Sequence, residues 1–175
     1  MSAATYYSYL DSPLGRLFVQ GDGACVTGLF LPNHKRWQGP DPAWRESPDS
    51  FNAVRTQLAE YFAGERQTFD VPLRPTGTSF QQRVWRELTL IPYAQTITYA
   101  QLAHRVGQPT ASRAVGAANG RNPISILVPC HRVIGADGQL TGYAGGVEKK
   151  RWLLAWERGE KLATPGWLFD EAALS

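Results

Sequence analysis

Residues 129–133 read Pro-Cys-His-Arg-Val, and they place Cys130 directly beside His131. A cysteine attacks as its thiolate, so a thiol next to a base is a candidate nucleophile. The apolar run before it, residues 124–128, predicts a short buried strand that ends at Pro129, because proline cannot donate to a sheet. A buried structural cysteine is the alternative interpretation of such a pair taken alone.

The predicted position of Glu157 in its helix is unfavourable for a negative charge unless the carboxylate has a partner. It lies in the final turn of a helix predicted from about Glu148 to Arg158, and the helix dipole disfavours a negative charge there. Arg158 and Lys161 could compensate the charge from the surface. A buried, polarised partner such as His131 would compensate it better.

A helix predicted from about Ala111 to Asn119 has an unusual composition, with one charged residue, Arg113, among small side chains and a glycine, Gly116. A glycine inside a helix costs roughly 1 kcal/mol relative to alanine. Small residues allow another surface to approach closely, although burial in the core would explain the same composition. A lone arginine on such a helix also resembles the side chains that minor-groove binders insert between base steps.

The first half of the chain predicts an antiparallel sheet followed by a helix. Three β-prone segments alternate with turns: residues 6–10, 16–20 and 24–31. A helix capped by Ser50 is expected at residues 51–62, and residues 69–73 predict a further strand. Cys25 falls in the third β-prone segment, where a small buried apolar role is the simplest interpretation.

The second half is mostly helical and contains a helix-turn-helix pattern. A capping box at residues 79–82 opens a helix that ends before Pro92, and a second box at residues 98–101 opens a short helix that ends before Gly107. The helix that carries Arg113 follows after a tight turn. This pair of helices favours DNA binding, although helical hairpins are common in proteins of other function.

Charge is unevenly distributed along the 175 residues. The net charge is +3, but residues 1–79 hold seven Lys/Arg and eight Asp/Glu, whereas residues 80–163 hold eleven and five. The basic half contains Cys130, so an anionic partner is expected there, with nucleic acid the first candidate. No segment approaches the ~20 apolar residues of a membrane span.

The cysteines and histidines of the sequence indicate the redox compartment of the protein and whether it could bind a metal. Cys25 and Cys130 do not make a disulfide framework, and they fit a reducing intracellular compartment. The first residues lack the basic and apolar stretches of a secretory signal. Outside the candidate site, Cys25, His34 and His104 lack the spacing of metal ligands. We therefore expect no metal and no cofactor.

Together these features carry a resemblance to a known family. The segments concerned are Arg113, Asn122-Pro123, Pro129–Val133, Tyr143–Gly146 and Trp152–Glu157. In this order they resemble the O6-alkylguanine-DNA alkyltransferases, also called methylated-DNA–protein-cysteine methyltransferases. The likeness is dense over about residues 79–160, and the segment 11–15 is similar to the family's N-terminal domain.

The resemblance implies an α/β (α+β) fold in two parts. A small N-terminal domain with an antiparallel sheet, of the ribonuclease-H-like kind, would span residues 1–74. Residues 75–78 would be a linker. A mostly helical C-terminal domain with a helix-turn-helix and the active-site cysteine would span 79–165, followed by a tail at 166–175.

The resemblance also implies DNA repair by direct reversal of alkylation. The alkyl group of O6-alkylguanine, with O4-alkylthymine as a further candidate, would move irreversibly to the cysteine, once per protein molecule. The implied partner is double-stranded alkylated DNA, bound through its minor groove. A monomer without an obligate protein partner or a membrane is expected, in the cytoplasm and on the nucleoid if the source is bacterial.

The family's catalytic residues match positions of this sequence. The implied relay runs from Cys130 through a water to His131, with Glu157 orienting the histidine, on the logic of a catalytic triad. Asn122 would brace the active-site turn. Tyr99 would donate a hydrogen bond to the base as it leaves.

The helix with Arg113 corresponds to the family's DNA-binding element. The target base must leave the duplex to be reached, and Arg113 would fill the space that it vacates. Ala114, Val115 and Gly116 would then lie against the minor groove, and Thr98 would also contact DNA.

The implied substrate pocket is formed by Val133, Tyr143, Ala144 and Gly145, with the backbone of Cys130 and Val133 recognising the edge of the guanine. The sequence departs from part of the family at one of these positions. Some members carry a hydroxyl residue after the pocket tyrosine, and Ala144 lacks that side-chain hydrogen bond while keeping its backbone N–H.

Three other functions compete with this interpretation. A non-enzymatic binder of alkylated DNA would keep the fold and the arginine but replace the cysteine, and Cys130 is present. A helix-turn-helix regulator of this family usually carries a further cysteine-rich metal domain. A cysteine hydrolase would need an oxyanion hole and repeated turnover.

Overall fold

The computed structural model describes residues 4–163, and the part of the chain up to Pro75 belongs to its first compact unit. This unit is built on a four-stranded sheet in the order β3-β2-β1-β4. Its strands are β1 Tyr6–Leu10, β2 Leu17–Gly21, β3 Val26–Phe30 and β4 Arg45–Glu46. The first three form the predicted antiparallel meander, whereas β4 adds a parallel edge to β1 that the sequence pattern did not predict.

The helix of this unit, α1 Asn52–Phe62, begins differently from the prediction. Ser50 does not cap it, because a short 3-10 helix at Pro48–Phe51 precedes α1 and includes that serine. The Ser50 hydroxyl pairs instead with the Ser47 hydroxyl at 2.7 Å. A proline suits the first turn of a helix, so the chain starts to coil at Pro48, before the apolar periodicity begins.

Two further predictions for this unit are wrong. Cys25 lies half-buried in the bend before β3, where its N–H donates to the Asp22 carboxylate at 2.7 Å. Residues 69–73 form no strand beyond an isolated bridge between Leu73 and Val26. In the part of the chain that the structure describes, the segment meets β3 only at Val26, whose N–H donates to the Pro72 carbonyl at 2.9 Å and whose carbonyl accepts from the Arg74 N–H at 2.8 Å.

The second unit, Thr76–Leu162, is mostly helical. Its elements are α2 Ser79–Leu88, β5 Ile97–Thr98, α3 Tyr99–Arg105, α4 Ser112–Gly120, β6 Val133–Ile134 and α5 Val147–Glu157. Both α2 and α3 pack against α4, and the buried Trp85 indole N–H donates to the Ala118 carbonyl at 2.8 Å. The predicted fold class is therefore confirmed, with an antiparallel sheet in the first unit and helices in the second.

The apolar run 124–128 is buried as expected, but it is not a strand. It forms a turn in which Ile126 has a φ of 71°, in the left-handed region that disfavours a β-branched residue. The Asn122 side chain supplies the hydrogen bonds that a sheet neighbour would have made. It donates to the carbonyls of Val128 at 2.8 Å and Ile124 at 3.2 Å, and it accepts from the Ile124 N–H at 3.0 Å.

The predicted tail at residues 166–175 and the end of the predicted C-terminal domain lie outside the described residues. Within residues 4–163, no helix has the length and apolar character needed to cross a membrane.

One of the two predicted capping boxes is confirmed, and the other begins one residue earlier than predicted. The Thr98 box is confirmed: its hydroxyl accepts from the Gln101 N–H at 3.1 Å, and the Gln101 side chain accepts from the Thr98 N–H at 2.8 Å. In α2 the cap is Thr78, paired with Gln81, and not the predicted Ser79. Threonine and serine are both good caps, so the sequence alone did not decide between adjacent residues.

This difference predicts a stability contrast between two neighbouring residues. Thr78→Ala should lower the free energy of unfolding by about 1 kcal/mol, because it removes the acceptor for the Gln81 N–H. Ser79→Ala is the matched control and should cost little, since Ser79 occupies the first helical position. Urea unfolding of both variants measures the difference, and an equal loss in both would contradict the assigned cap.

Candidate active site

Cys130 opens a short 3-10 helix, Cys130–Arg132, directly after the turn that Asn122 organises. Its N–H donates to the Val128 carbonyl at 2.8 Å. Its own carbonyl accepts from the Val133 N–H and from the side-chain amide of Asn119. Both backbone groups of Cys130 are thus held, and the position of the sulfur depends on a backbone that cannot easily move.

The environment keeps the Cys130 thiol protonated in the free protein. Burial raises its pKa, and a hydrogen bond with Asn122 and the positive charge of Lys150 only partly oppose that rise. A protonated thiol is a weak nucleophile, so reaction requires a base to accept its proton.

Glu157 is the buried anion of the site. Its carboxylate accepts from His131 Nε2 at 2.8 Å, from Arg132 Nε at 2.8 Å and Nη2 at 3.0 Å, and from the Ala94 N–H at 3.4 Å. Burial alone would raise the pKa of Glu157, but the hydrogen bonds and charges of His131 and Arg132 bring it well below its usual range. Glu157 is therefore ionised throughout the physiological pH range.

His131 is fully buried and is in its neutral form at neutral pH. Burial lowers the pKa of His131, against the opposing effect of Glu157, and the charges of Arg132 and Lys150 lower it further. Because Glu157 accepts at Nε2, the proton of the neutral ring lies on Nε2 and the lone pair on Nδ1. Among the described residues, none hydrogen-bonds to Nδ1. This nitrogen can therefore accept a proton.

Arg132 is a site residue that the sequence interpretation missed. Its guanidinium binds Glu157 with two nitrogens and donates from Nη1 to the Ile91 carbonyl at 2.7 Å. The bidentate contact gives Glu157 a permanently charged partner, because arginine does not lose its proton in proteins. The sequence feature that could have identified Arg132 is its position directly after His131.

Lys150 is the second residue that was missed. Its side chain is completely buried, its Nζ donates to the Thr141 carbonyl at 3.3 Å and lies 5.9 Å from the centre of the Tyr99 ring. Burial lowers the pKa of Lys150, and the electrostatic interaction with Cys130 opposes this change. A fully buried lysine in the first turn of α5 could not be recognised from periodicity, because charged helix positions usually face solvent.

The structure also locates the predicted pocket residues. Val133 and Tyr143 are buried and Ala144 is half-buried, while Gly145 lies within the same loop. The Tyr99 hydroxyl donates to the Thr141 carbonyl at 3.2 Å. Burial raises the pKa of Tyr99, so its hydroxyl keeps the proton that it could donate.

Only some of the α4 residues predicted to bind DNA are exposed. Arg113 and Ala114 are exposed, but Val115 has no exposed area. The prediction that Val115 contacts the minor groove is therefore wrong, because the helical turn directs this side chain into the core. Thr98 is half-buried and its hydroxyl is the cap of α3.

Gly116 is not required by packing within the unit. A Cβ at this position would lie 3.6 Å from a carbon of the Tyr99 ring, which is an ordinary contact. An alanine would therefore fit at this position, and packing within the unit does not explain the glycine.

Comparisons with known proteins agree with this geometry. A family model described as "6-O-methylguanine DNA methyltransferase, DNA binding domain" matches residues 79–159, and its "ribonuclease-like domain" companion matches residues 5–75. The methylated-DNA–protein-cysteine methyltransferase of Methanosarcina acetivorans is 49% identical, over 87% of this chain and 97% of its own length. The chain belongs to the methylated-DNA–protein-cysteine methyltransferase family.

Further relatives support the same assignment. The methylated-DNA–protein-cysteine methyltransferase of Mycobacterium bovis is 48% identical over 87% of this chain and 92% of its own length. The crystal structure of Mycobacterium tuberculosis OGT in complex with DNA is 48% identical, with a TM-score of 0.84 over 94% of this chain and 99% of that chain. As a methylated-DNA–protein-cysteine methyltransferase, the protein is a DNA-repair enzyme whose alkyl acceptor is a cysteine.

The charge of Lys150 yields a prediction for this methyltransferase. Lys150→Met should raise the thiol pKa of Cys130, because it removes the positive charge that favours the thiolate. Lys149→Met, its buried neighbour on α5, is the matched control and should leave that pKa nearly unchanged. Thiolate absorbance measured against pH in a Cys25→Ala background reports Cys130 alone. An unchanged titration in Lys150→Met would show that this ammonium does not act on the thiol.

Proposed function

We propose that the protein repairs DNA by moving the alkyl group of O6-alkylguanine irreversibly to the sulfur of Cys130, once per molecule. The observation that carries this proposal is the buried arrangement in which ionised Glu157 binds Nε2 of His131, the residue that follows Cys130, and leaves its Nδ1 without a hydrogen-bond partner among the described residues. O4-alkylthymine is a further candidate substrate.

The proposed reaction is an in-line displacement at the alkyl carbon. The Cys130 proton passes through a water to Nδ1 of His131, and the sulfur forms a bond to the carbon while the bond from that carbon to O6 breaks. The guanine leaves with the electron pair of the broken bond, and the Tyr99 hydroxyl donates a hydrogen bond to it. Asn122 supports the step by fixing the turn before Cys130.

The single use of each molecule follows from the product. A thioether sulfur is not a leaving group under these conditions, and no group of the described site can remove the alkyl chain. The protein is therefore consumed in stoichiometric amount.

We further propose that Arg113, with Ala114, Gly116 and Thr98, binds the minor groove of the duplex. Arg113 would fill the space left when the target nucleotide leaves the stack. The pocket of Val133, Tyr143, Ala144 and Gly145 would then enclose the base. A basic second half favours this partner through its contacts with phosphates.

We also propose the domain boundaries and the cellular setting of the protein. Residues 1–74 would form the ribonuclease-H-like domain, 75–78 the linker and 79–165 the catalytic domain. The protein would act as a cytoplasmic monomer, associated with the nucleoid in a bacterium. A non-enzymatic binder of alkylated DNA is the competing function, and it would have no use for a thiol beside a neutral histidine.

Transfer should modify one of the two cysteines. After incubation with a duplex that contains O6-methylguanine, peptide mapping should find the mass of one added CH2 group on Cys130. Cys130→Ala should abolish transfer and still bind DNA, because phosphate contacts dominate affinity. Modification of Cys25, or tight binding without any transfer, would contradict the proposed reaction.

Arg113 should promote the flipping of the target nucleotide, and it should not serve mainly to bind a phosphate. Arg113→Ala should slow repair of a methylated duplex by about tenfold, which corresponds to losing ~1.4 kcal/mol of support for the flipped state. The rate on a free modified base, which needs no flipping, should change little. Arg121→Ala, an exposed arginine just after α4, is the matched control for lost positive charge. Equal slowing of Arg113→Ala on both substrates would place its role in the pocket instead.

A further inference from the structure

The loop between α2 and β5 contacts the buried ion pair of Arg132 and Glu157 at three points. The Ile91 carbonyl accepts from Arg132 Nη1 at 2.7 Å, and the Ala94 N–H donates to Glu157 Oε1 at 3.4 Å. Between these two contacts, the centre of the Tyr93 ring lies 5.7 Å from the central carbon of the Arg132 guanidinium. One short loop therefore meets both members of the pair, although it carries no residue of the proposed reaction.

The backbone of this loop is strained at the residue that reaches the carboxylate. Ala94 has a φ of 64°, in the left-handed region that is unfavourable for a residue with a Cβ. Ala94 is exposed, so packing of its side chain in the core does not impose this conformation. The Gln95 N–H donates to the Pro92 carbonyl at 3.1 Å and closes a turn around it. Strain that persists beside a candidate active site indicates a functional constraint on the loop.

Tyr93 lies at the boundary between the ion pair and solvent. It is half-buried, whereas the side chain of Arg132 is 6% exposed and that of Glu157 has no exposed area. Burial raises the pKa of Tyr93, the negative charge of Glu157 raises it further, and the positive charge of Arg132 opposes the rise. Both charges therefore act on this one side chain. A cation beside an aromatic ring is attracted to the ring, and more strongly where water is excluded.

Resting on the proposed function, we propose that Tyr93 is a positioning residue, whose ring holds the Arg132 guanidinium on Glu157 and keeps water away from the pair. The bidentate contact of Arg132 then fixes the orientation of the carboxylate. A carboxylate in this orientation keeps its hydrogen bond to Nε2 of His131. The proton of the neutral ring stays on Nε2, and Nδ1 can accept the proton of Cys130.

Substitutions of Tyr93 separate the role of the ring from that of the hydroxyl. Single-turnover transfer rates per active molecule are measured with a duplex that contains O6-methylguanine. Tyr93→Leu and Tyr93→Met remove the aromatic ring and should slow transfer about fivefold, the effect expected for one partly desolvated cation–π contact. Tyr93→Phe keeps the ring and should stay within about twofold of the wild-type rate. Unchanged rates in the Leu and Met variants, or equal slowing in Tyr93→Phe, would overturn the role of the ring.

The tautomer of His131 distinguishes a positioning role from a purely structural one. Nitrogen-15 NMR of the three histidine side chains, assigned with His131→Gln, reports which ring nitrogen carries the proton. In the wild-type and Tyr93→Phe proteins, the His131 proton should lie on Nε2. In Tyr93→Leu, a measurable share should move to Nδ1. Lower stability of Tyr93→Leu in urea with an unchanged tautomer would show that the ring only packs the loop, and would overturn the proposal.

The effect of the ring should depend on the carboxylate. In a Glu157→Gln background, Tyr93→Leu should slow transfer little further, because the group through which it acts is already lost. Two effects that multiply would contradict the proposed route through Glu157. Absence of transfer to Cys130 in the wild-type protein would reject the proposed function itself, whereas the His131 tautomer is measured in the free protein and tests the positioning role alone.

Discussion

The buried carboxylate of Glu157 is the interaction on which the active site depends. An uncompensated charge at this depth would be strongly destabilising, so its partners must be present and correctly oriented. Arg132 supplies the permanent charge through two hydrogen bonds, and His131 supplies a third. The same contacts fix the histidine in the tautomer that leaves Nδ1 free to take a proton. The stability of the site and the proposed reactivity of His131 therefore both depend on the Glu157 carboxylate.

The cysteine side of the site is held by backbone contacts and two asparagines. Asn122 shapes the turn before Cys130, and the Asn119 side chain, on α4, donates to the Cys130 carbonyl. A thiol whose burial raises its pKa and a neutral imidazole form a pair in which both partners are uncharged before reaction. Such a resting state suits the proposed single reaction, because an uncharged thiol is a weak nucleophile until its proton passes to the histidine.

Much of this could be predicted from sequence where the signal is local. The β-prone composition of Tyr6–Leu10 predicted the first strand, and Thr98 with Gln101 predicted the cap of α3. The interactions that were missed are formed between distant segments. Lys150 is buried by its neighbours in space and not by its periodicity, and the turn at 124–128 overrides a β-prone composition through the hydrogen bonds of one side chain, Asn122. The burial of Val115 on a helix of small residues likewise depends on packing against other helices.

The coupling between His131 and Glu157 is the most direct test of this account. Single-turnover transfer rates per active molecule are measured for His131→Gln, Glu157→Gln and the double variant. Each single change should slow transfer by roughly 10²-fold or more, as expected for loss of an oriented general base. The double variant should be little slower than the slower single variant, because the two residues act as a unit. If the two effects multiply instead, Glu157 supports only the fold, and the proposed activation of Cys130 is contradicted.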